Sequence, residues 1–164
     1  IIDKRGYLKN LHLAQIIKSS KISENDNVLH LGGLTGYFSA LIASLCKELQ
    51  VVEENKKLFN VLQQNIKNHN ISNINLYNES LLKGLPSRSP FDLIIIDGPM
   101  YKVNKYLKQQ LSENGGRLIY IKKIYDNLGK AYKITRNEDL YSSIYLFDVM
   151  STYQIQSKEK DFNF

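Results

Sequence analysis

The stretch Val28-Leu29-His30-Leu31-Gly32-Gly33-Leu34-Thr35-Gly36-Tyr37 decides the fold of this chain. Its apolar beginning predicts a buried strand over residues 27–31, its glycines predict a tight turn, and the apolar residues 37–49 predict a helix. A strand, a glycine turn and a helix in this order form the first unit of a parallel sheet. Such a sheet binds a nucleotide-like ligand at the carboxyl ends of its strands.

The rest of the chain repeats this alternation of strand and helix. Periodicity predicts a lead-in helix over 8–18, helices over 56–68 and 103–111, and strands over 49–52, 73–77, 91–96 and 117–121. Residues 129–135 and 140–149 alternate like antiparallel strands joined by a turn over 136–139. We therefore expect an α/β, Rossmann-like, doubly wound and mostly parallel sheet with helices on both faces and a C-terminal antiparallel hairpin, all in a single domain over residues 1–164.

Composition narrows the class of protein. Hydrophobic residues make up 43% of the 164 residues, and no apolar run approaches the roughly 20 residues that a membrane span needs. Cys46 is the single cysteine and the histidines are scattered, which predicts neither a disulfide nor a metal site. The chain begins at Ile1 without a signal-peptide pattern, so we expect a cytoplasmic protein whose N-terminus has been trimmed.

The net charge of +6 is spread along the chain without a block of like charges, which is typical of a solvated surface. Nucleic acid is therefore not the expected partner. A nucleic-acid methyltransferase stays an alternative, because Asp97-Gly98-Pro99-Met100-Tyr101 is partly similar to the D-P-P-Y loop of such enzymes.

The glycine turn points to a particular kind of nucleotide site. The spacing of Gly32, Gly33 and Gly36 differs from the G-x-G-x-x-G pattern of dinucleotide binding, which disfavours nicotinamide and flavin cofactors. Free N–H groups at the start of the following helix could bind an anion, which for S-adenosylmethionine is the methionyl carboxylate. Glu53 stands about twenty residues after the glycine turn, at the end of the second strand. A carboxylate there can accept hydrogen bonds from both ribose hydroxyl groups.

Two further loops reach the same edge of the sheet. Ser80 follows the third strand and could contact adenine, and Asp97 ends the fourth strand, where it could equally be a turn residue. No catalytic residue is predicted. The predicted cofactor-binding residues are His30, Gly32, Gly33, Leu34, Gly36, Glu53, Glu54, Ser80, Leu81 and Asp97.

Four segments carry a resemblance to a known family. They are the glycine turn 31–40, the acidic strand end Val51-Val52-Glu53-Glu54, the stretch Leu82-Lys83-Gly84-Leu85-Pro86 with Ser89-Pro90-Phe91-Asp92-Leu93-Ile94-Ile95, and the turn 110–118. In these segments the chain resembles the protein-L-isoaspartate O-methyltransferase family. The tail agrees in Leu128-Gly129-Lys130-Ala131, in Leu146-Phe147-Asp148-Val149 and in the closing Phe162-Asn163-Phe164.

The resemblance implies an S-adenosylmethionine-dependent enzyme that esterifies the side-group carboxylate of isoaspartyl residues and so begins protein repair. Its partner would be a protein or peptide that contains isoaspartyl residues, and we expect a monomer. A carboxylate with a pKa near ~4 is already ionised at neutral pH, so it needs no general base. Positioning the nucleophile is then the main catalytic task.

The chain departs from the family pattern at three places. His30 stands where the family has an acidic residue, Leu34 stands where it has the middle glycine of the turn, and the opening stretch Arg5-Gly6-Tyr7-Leu8-Lys9-Asn10-Leu11 lacks the hydroxyl residue of the family's T-[IV]-S-x-P segment. Arg5 or Lys9 could attract a carboxylate, although basic residues in an opening segment are usually solvated. These departures favour an alternative in which the fold persists as a non-catalytic binding module.

Overall fold

The computed structural model describes residues 5–155, which form a sheet flanked by helices. The helices are α1 (Asn10–Ser20), α2 (Tyr37–Ala43), α3 (Lys56–Asn68) and α4 (Lys105–Gln109). The strands are β1 (Asn27–Leu31), β2 (Glu48–Val52), β3 (Ile74–Tyr77), β4 (Leu93–Met100), β5 (Asn114–Lys123), β6 (Leu128–Asn137) and β7 (Leu140–Met150). The closing segment 162–164 and the start at Ile1 lie outside the described residues.

The strands lie in the order β3-β2-β1-β4-β5-β6-β7. The pairs from β3 to β5 are parallel, whereas β5 with β6 and β6 with β7 are antiparallel. The chain leaves β1 in one direction along the sheet and returns to β4 on the other side. A crevice forms at such a switch point. This arrangement confirms the predicted fold class and the C-terminal hairpin.

Alternate strand residues build two apolar layers, one on each face of the sheet. Val28, Val51 and Ile95 belong to the layer that α1, α2 and α3 cover. Leu29 and Ile94 belong to the opposite layer, which α4 covers together with the loops around Leu81, Leu85 and Phe91. Helices therefore lie on both faces, as predicted, although the second face carries only the short α4 over the part of the chain that is described.

Two predicted helices are shorter in the structure. The helix predicted over 37–49 ends at Ala43, because the side-chain amide of Asn73 donates to the carbonyls of Ala43 (2.8 Å) and Cys46 (3.2 Å) and so closes the helix end. The apolar run had continued into β2, and periodicity alone could not separate the two elements. The helix predicted over 103–111 begins at Lys105, where the Asn104 side chain caps it by accepting from Leu107 N at 2.9 Å.

Strand β4 does not end at Asp97, as the sequence predicts, but continues to Met100. Its pairing with β5 shifts register between Ile95 and Pro99, so the residues between these two positions form a bulge. Proline is tolerated at such a place because the regular hydrogen-bond ladder is already interrupted. In the hairpin, β6 extends into the predicted turn as far as Asn137, so the turn itself is only Glu138 and Asp139.

Among residues 5–155, none of the helices has the length and apolar character needed to cross a membrane.

Candidate cofactor site

The glycine turn is fixed against the neighbouring strand. The N–H groups of Gly32 and Gly33 donate to the carbonyl of Val52 at 2.9 and 3.4 Å. Gly32 and Gly36 have φ values of 100° and 99°, a region that glycine adopts without strain. A Cβ atom on Gly36 would also lie 2.9 Å from Leu62 Cδ1, so α3 packs directly on this bend.

Glu53 is held beside this turn. Its side chain is fully buried, its Oε2 accepts from Leu34 N at 2.9 Å, and its Oε1 accepts from Asn55 N at 3.0 Å. The backbone N–H of Glu53 donates to Tyr77 O at 3.0 Å. The structure therefore brings together the acidic strand end and the glycine turn.

Sequence reasoning missed the contact of Arg5 with Glu53. Its Nη2 and Nη1 atoms lie 3.1 and 3.4 Å from the two carboxylate oxygens of Glu53, and the arginine itself is only 6% exposed. The expectation of a solvated Arg5 is wrong. Because 48 residues separate the two partners, no local pattern in the sequence could reveal the contact.

Arg5 and Ile155 lie over the glycine turn. A Cβ atom on Gly32 would be 3.0 Å from Arg5 Nη2 and 3.3 Å from Ile155 Cδ1. A Cβ atom on Gly98 would be 2.8 Å from Ile155 Cγ1, and Ile155 N donates to Pro99 O at 2.8 Å. Two segments that are distant in sequence therefore cover the edge where β1 and β4 end.

The first backbone N–H group of α2, which we predicted to be free, is paired within the chain. The hydroxyl oxygen of Tyr7 accepts from Thr35 N at 3.1 Å and from Tyr37 N at 3.2 Å, and it lies 2.7 Å from Thr35 Oγ1. Leu34 N is bound to Glu53. The backbone N–H groups of Leu34, Thr35 and Tyr37 are thus already paired within the chain.

Leu34 adopts the conformation that the family's glycine suggests. Its φ is 50°, and the residue is only 3% exposed. The left-handed region costs a residue with a Cβ atom roughly 1–2 kcal/mol. The turn therefore carries backbone strain at Leu34.

The loop after β3 is tied to the end of β2. The side-chain amide of Asn78 donates to the carbonyls of Glu53 (2.7 Å) and Glu54 (3.2 Å), and the Glu54 carboxylate accepts from Leu81 N at 3.2 Å. Leu81 is buried in the second apolar layer, whereas Ser80 is exposed. Glu54 thus positions the loop that carries Ser80 and Leu81.

His30 and Asp97 lie together under the turn, on the face that α2 covers. His30 Nε2 is 3.7 Å from Asp97 Oδ2, and both side chains are fully buried. The carbonyl oxygen of Asp97 would be 3.3 Å from a Cβ on Gly32. His30 on β1 and Asp97 on β4 therefore border the same edge of the sheet as Glu53, which follows β2.

These groups fit an adenosyl ligand. Glu53 can accept two hydroxyl hydrogens, Gly32 has no side chain, and both oxygens of the Asp97 carboxyl group lack a hydrogen-bond partner in the described chain. Arg5 and Ile155 lie across the same space. The fit to S-adenosylmethionine therefore requires these two side chains to move.

Comparison with solved structures reveals the same architecture. A protein-L-isoaspartate O-methyltransferase superposes with a TM-score of 0.79 over 90% of this chain and 47% of that chain, at 21% identity. The phosphoethanolamine N-methyltransferase 1 of Haemonchus contortus, in complex with phosphoethanolamine and S-adenosylhomocysteine, gives a TM-score of 0.59 over 70% of this chain and 26% of that chain, at 16% identity. Likeness at this level of identity establishes the fold.

Sequence comparison establishes the family. A protein-L-isoaspartate O-methyltransferase of Shewanella sp. strain ANA-3 is 32% identical over 116 residues, which are 71% of this chain and 54% of that protein. The chain spans about half the length of the curated relatives it matches. The model of the family Protein-L-isoaspartate(D-aspartate) O-methyltransferase matches residues 8–150, which is most of the chain. The chain therefore belongs to the protein-L-isoaspartate(D-aspartate) O-methyltransferase family.

Proposed function

We propose that this protein transfers a methyl group from S-adenosylmethionine to the side-group carboxylate of isoaspartyl residues in proteins or peptides. Membership of the family supports the reaction class. The observation that carries the proposal is the position of Glu53, a buried carboxylate hydrogen-bonded to the glycine turn at Leu34 N. A ribose diol placed over this turn would meet both carboxylate oxygens.

When bound, S-adenosylmethionine supplies an electrophilic methyl group, whose bond to sulfur breaks with the electron pair left on sulfur as the new bond to the acceptor oxygen forms. The acceptor carboxylate is ionised near neutral pH, so no residue of this chain has to remove a proton. The protein has to bind both molecules, exclude water and align the oxygen with the methyl carbon.

Arg5 has to leave Glu53 before a ribose can take its place. The guanidinium occupies both carboxylate oxygens, and Ile155 covers the adjacent backbone of Gly32. Binding of the cofactor therefore includes a rearrangement of the segments around Arg5 and Ile155. The Glu54 carboxylate accepts from Leu81 N and would keep the loop that carries Ser80 and Leu81 in place during this rearrangement.

We also propose that the protein acts in the cytoplasm as a monomer and that residues 1–164 form one domain. The single buried cysteine agrees with a reducing compartment. Size-exclusion chromatography with light scattering would measure the mass in solution. The mass of a dimer would contradict the proposed monomer.

The decisive experiment measures transfer of radiolabelled methyl to an isoaspartyl peptide, with the matching aspartyl peptide as control. We expect labelling of the isoaspartyl peptide only. Glu53→Gln should abolish it, because an amide replaces one hydroxyl acceptor by a donor. Glu24→Gln, which removes the same charge at an exposed position, should leave it unchanged.

Two results would overturn the proposal. If a protein that binds the cofactor labels both peptides only at background level, isoaspartyl residues are not its substrate. If titration with S-adenosylmethionine gives no calorimetric heat, the proposed cofactor is contradicted as well.

A further inference from the structure

A row of tyrosines crosses the outer, antiparallel part of the sheet. The strand register pairs Tyr120 on β5 with Tyr132 on β6, and Tyr132 with Tyr145 on β7. The ring centroids are 5.8 Å apart in the first pair and 6.0 Å apart in the second. Tyr145 is 52% exposed, and the other two rings are partly buried. This tyrosine row therefore forms an aromatic surface that solvent reaches.

A pair of lysines lies beside the tyrosine row. The register places Lys122 on β5 opposite Lys130 on β6. Each lysine is two residues along its strand from a tyrosine of the row, so the lysines and the row share one face of the sheet. Lys122 is exposed, and Lys130 Nζ lies 5.7 Å from the centre of the Tyr145 ring. Antiparallel pairing brings together two charges that the sequence places on different strands.

The charge of this lysine pair is not neutralised within the described chain. Neither ammonium group forms an ion pair with a carboxylate of residues 5–155. Asp148 lies opposite Lys130 on β7, but its carboxylate accepts from the Tyr145 hydroxyl group at 3.1 Å. Like charges that face each other on neighbouring strands are unfavourable. An anion bound to both lysines would offset this repulsion.

The lysine pair lies near the edge of the sheet that contains the candidate cofactor site. Met100, at the carboxyl end of β4, is in register with Lys122, and β4 also carries Asp97. Neighbouring strands are about 4.8 Å apart, so Lys130 lies on a strand roughly 10 Å from β4. An extended peptide advances about 3.3 Å per residue. Residues about two to four positions from a reacting residue would therefore reach the lysine pair.

The chemistry of this surface fits an acidic polypeptide segment. Ammonium groups bind carboxylates, and tyrosine rings pack against the apolar parts of side chains while their hydroxyl groups donate hydrogen bonds. A single-stranded nucleic acid also binds cations, but its bases stack on open ring faces. The rings of Tyr120 and Tyr132 already stack on each other at an interplanar angle of 25°. Lys130 lies over the Tyr145 ring. These contacts favour a peptide over a nucleic acid.

Resting on the proposed function, we infer that Lys122 and Lys130, with the tyrosine row beside them, bind acidic side chains that flank the isoaspartyl residue of the substrate. The surface would select polypeptides that carry carboxylates about two to four residues from the residue to be methylated. It lies outside the site of methyl transfer, so it acts on the affinity for the substrate and not on the chemical step.

The test compares two isoaspartyl peptides of equal length, with either glutamate or glutamine at the second to fourth positions on both sides of the isoaspartyl residue. At low salt the parent protein should have a KM about five- to tenfold lower for the glutamate peptide, at equal kcat. Each exposed ion pair changes an affinity by up to about fivefold. The difference between the peptides should shrink as salt is added.

Variants locate the preference on the molecule. Lys122→Gln combined with Lys130→Gln should raise the KM for the glutamate peptide to that for the glutamine peptide, without lowering kcat. This double variant should melt at the same or a higher temperature than the parent protein, because the repulsion between the lysines is gone. Lys18→Gln combined with Lys67→Gln removes the same charge from exposed positions on α1 and α3 and should keep the preference.

Each other result overturns the inference. Equal KM values for the two peptides in the parent protein would remove the surface and leave the proposed function intact. Loss of the preference in the control variant would assign it to net charge, and a lower melting temperature of the lysine variant would assign the pair to the fold. If single-stranded RNA binds the parent protein and not the lysine variant, the partner is a nucleic acid. A parent protein that methylates neither peptide would remove the proposed function together with this inference.

Discussion

Arg5 and Glu53 form a two-point ion pair in which Arg5 Nη2 and Nη1 each face one carboxylate oxygen, at 3.1 and 3.4 Å. Both residues are buried, and the carboxylate also accepts from the backbone N–H groups of Leu34 and Asn55. The oxygens that would bind a ribose diol are thus already in use. A nucleoside and Arg5 must compete for the same acceptor.

Removing Arg5 is therefore expected to strengthen nucleoside binding. Arg5→Ala should raise the affinity for adenosine by about tenfold, because a charge-assisted contact no longer has to be broken. Adenosine is the suitable probe, since it lacks the amino acid chain. Calorimetric titration measures the change, and Lys9→Ala, the loss of an exposed positive charge nearby, is the control. Unchanged or weaker binding by Arg5→Ala would exclude the competition.

The same substitution should weaken the fold. Breaking a buried ion pair typically costs about 3–5 kcal/mol, and Glu53 keeps two backbone donors, so we expect a loss near the lower end of this range. The free energy of unfolding in urea measures it. Arg5→Ala combined with Glu53→Gln should recover part of the loss, because no unpaired charge then stays buried. A double variant that is less stable than Arg5→Ala alone would contradict this explanation.

Leu34 should tolerate glycine better than alanine. Both substitutions remove a buried side chain, which typically costs about 2–5 kcal/mol. Only glycine also relieves the strain of a φ of 50°, so Leu34→Gly should be about 1 kcal/mol more stable than Leu34→Ala. Urea unfolding of the two variants measures the difference. An alanine variant as stable as the glycine variant would show that the turn is not strained.

Gly36 and Gly115 separate backbone strain from crowding. Both have a positive φ, 99° and 82°, but a Cβ on Gly36 would lie 2.9 Å from Leu62 Cδ1, whereas nothing lies within 4 Å of one on Gly115. Gly115→Ala should cost roughly 1–2 kcal/mol from the backbone alone. Gly36→Ala should cost about 1–3 kcal/mol more, because α3 has to shift. Equal losses in thermal unfolding would mean that α3 accommodates the methyl group freely.

Cys46 should react slowly while the protein is folded. Burial, with a smaller contribution from the charge of Asp26, raises the pKa of its thiol from 9.0 to about 11. At pH 8 the thiolate population is then roughly a hundredfold lower than in the unfolded chain. Disulfide-exchange labelling of native and denatured protein measures the ratio, and comparable rates would contradict the raised pKa.

The same pKa shift has a consequence for stability. The neutral thiol is favoured in the fold, so its contribution is fully present below pH 9 and is lost as the pH rises through about 11. Cys46→Ala should lack this part of the pH dependence. Urea unfolding of both proteins across this window measures it, and identical pH profiles would rule it out.

The sequence predicted the elements more reliably than their ends. Periodicity placed α3 over its observed residues, because its apolar positions follow one helical spacing. In the structure, the Asn55 side chain caps its start. It failed at α2, where apolar residues continue into β2, and at β4, where the strand passes through Asp97-Gly98-Pro99 as a bulge. In both places the boundary depends on a partner from another element, Asn73 for α2 and β5 for β4.

For the site, the sequence placed Glu53 beside the glycine turn but did not predict the contacts that Arg5, Tyr7 and Ile155 make there. The first relationship follows from adjacent parallel strands, whose carboxyl ends share one edge of the sheet. The other three residues come from segments before β1 and after β7, and their positions depend on how those segments pack over the sheet. The Tyr7 hydroxyl oxygen accepts from Tyr37 N, the first N–H group of the helix, which the local pattern left free.

By itself, the order of apolar runs and glycines determined that this chain forms a parallel sheet with a bend after β1 and a carboxylate after β2, because strand periodicity and glycine conformation are local properties. Only the tertiary structure decided that Arg5 pairs with this carboxylate and that Asp97 is buried beside His30 without a hydrogen bond in the described chain. Burial and ion pairing depend on residues that are far apart in sequence, and folding alone brings them into contact.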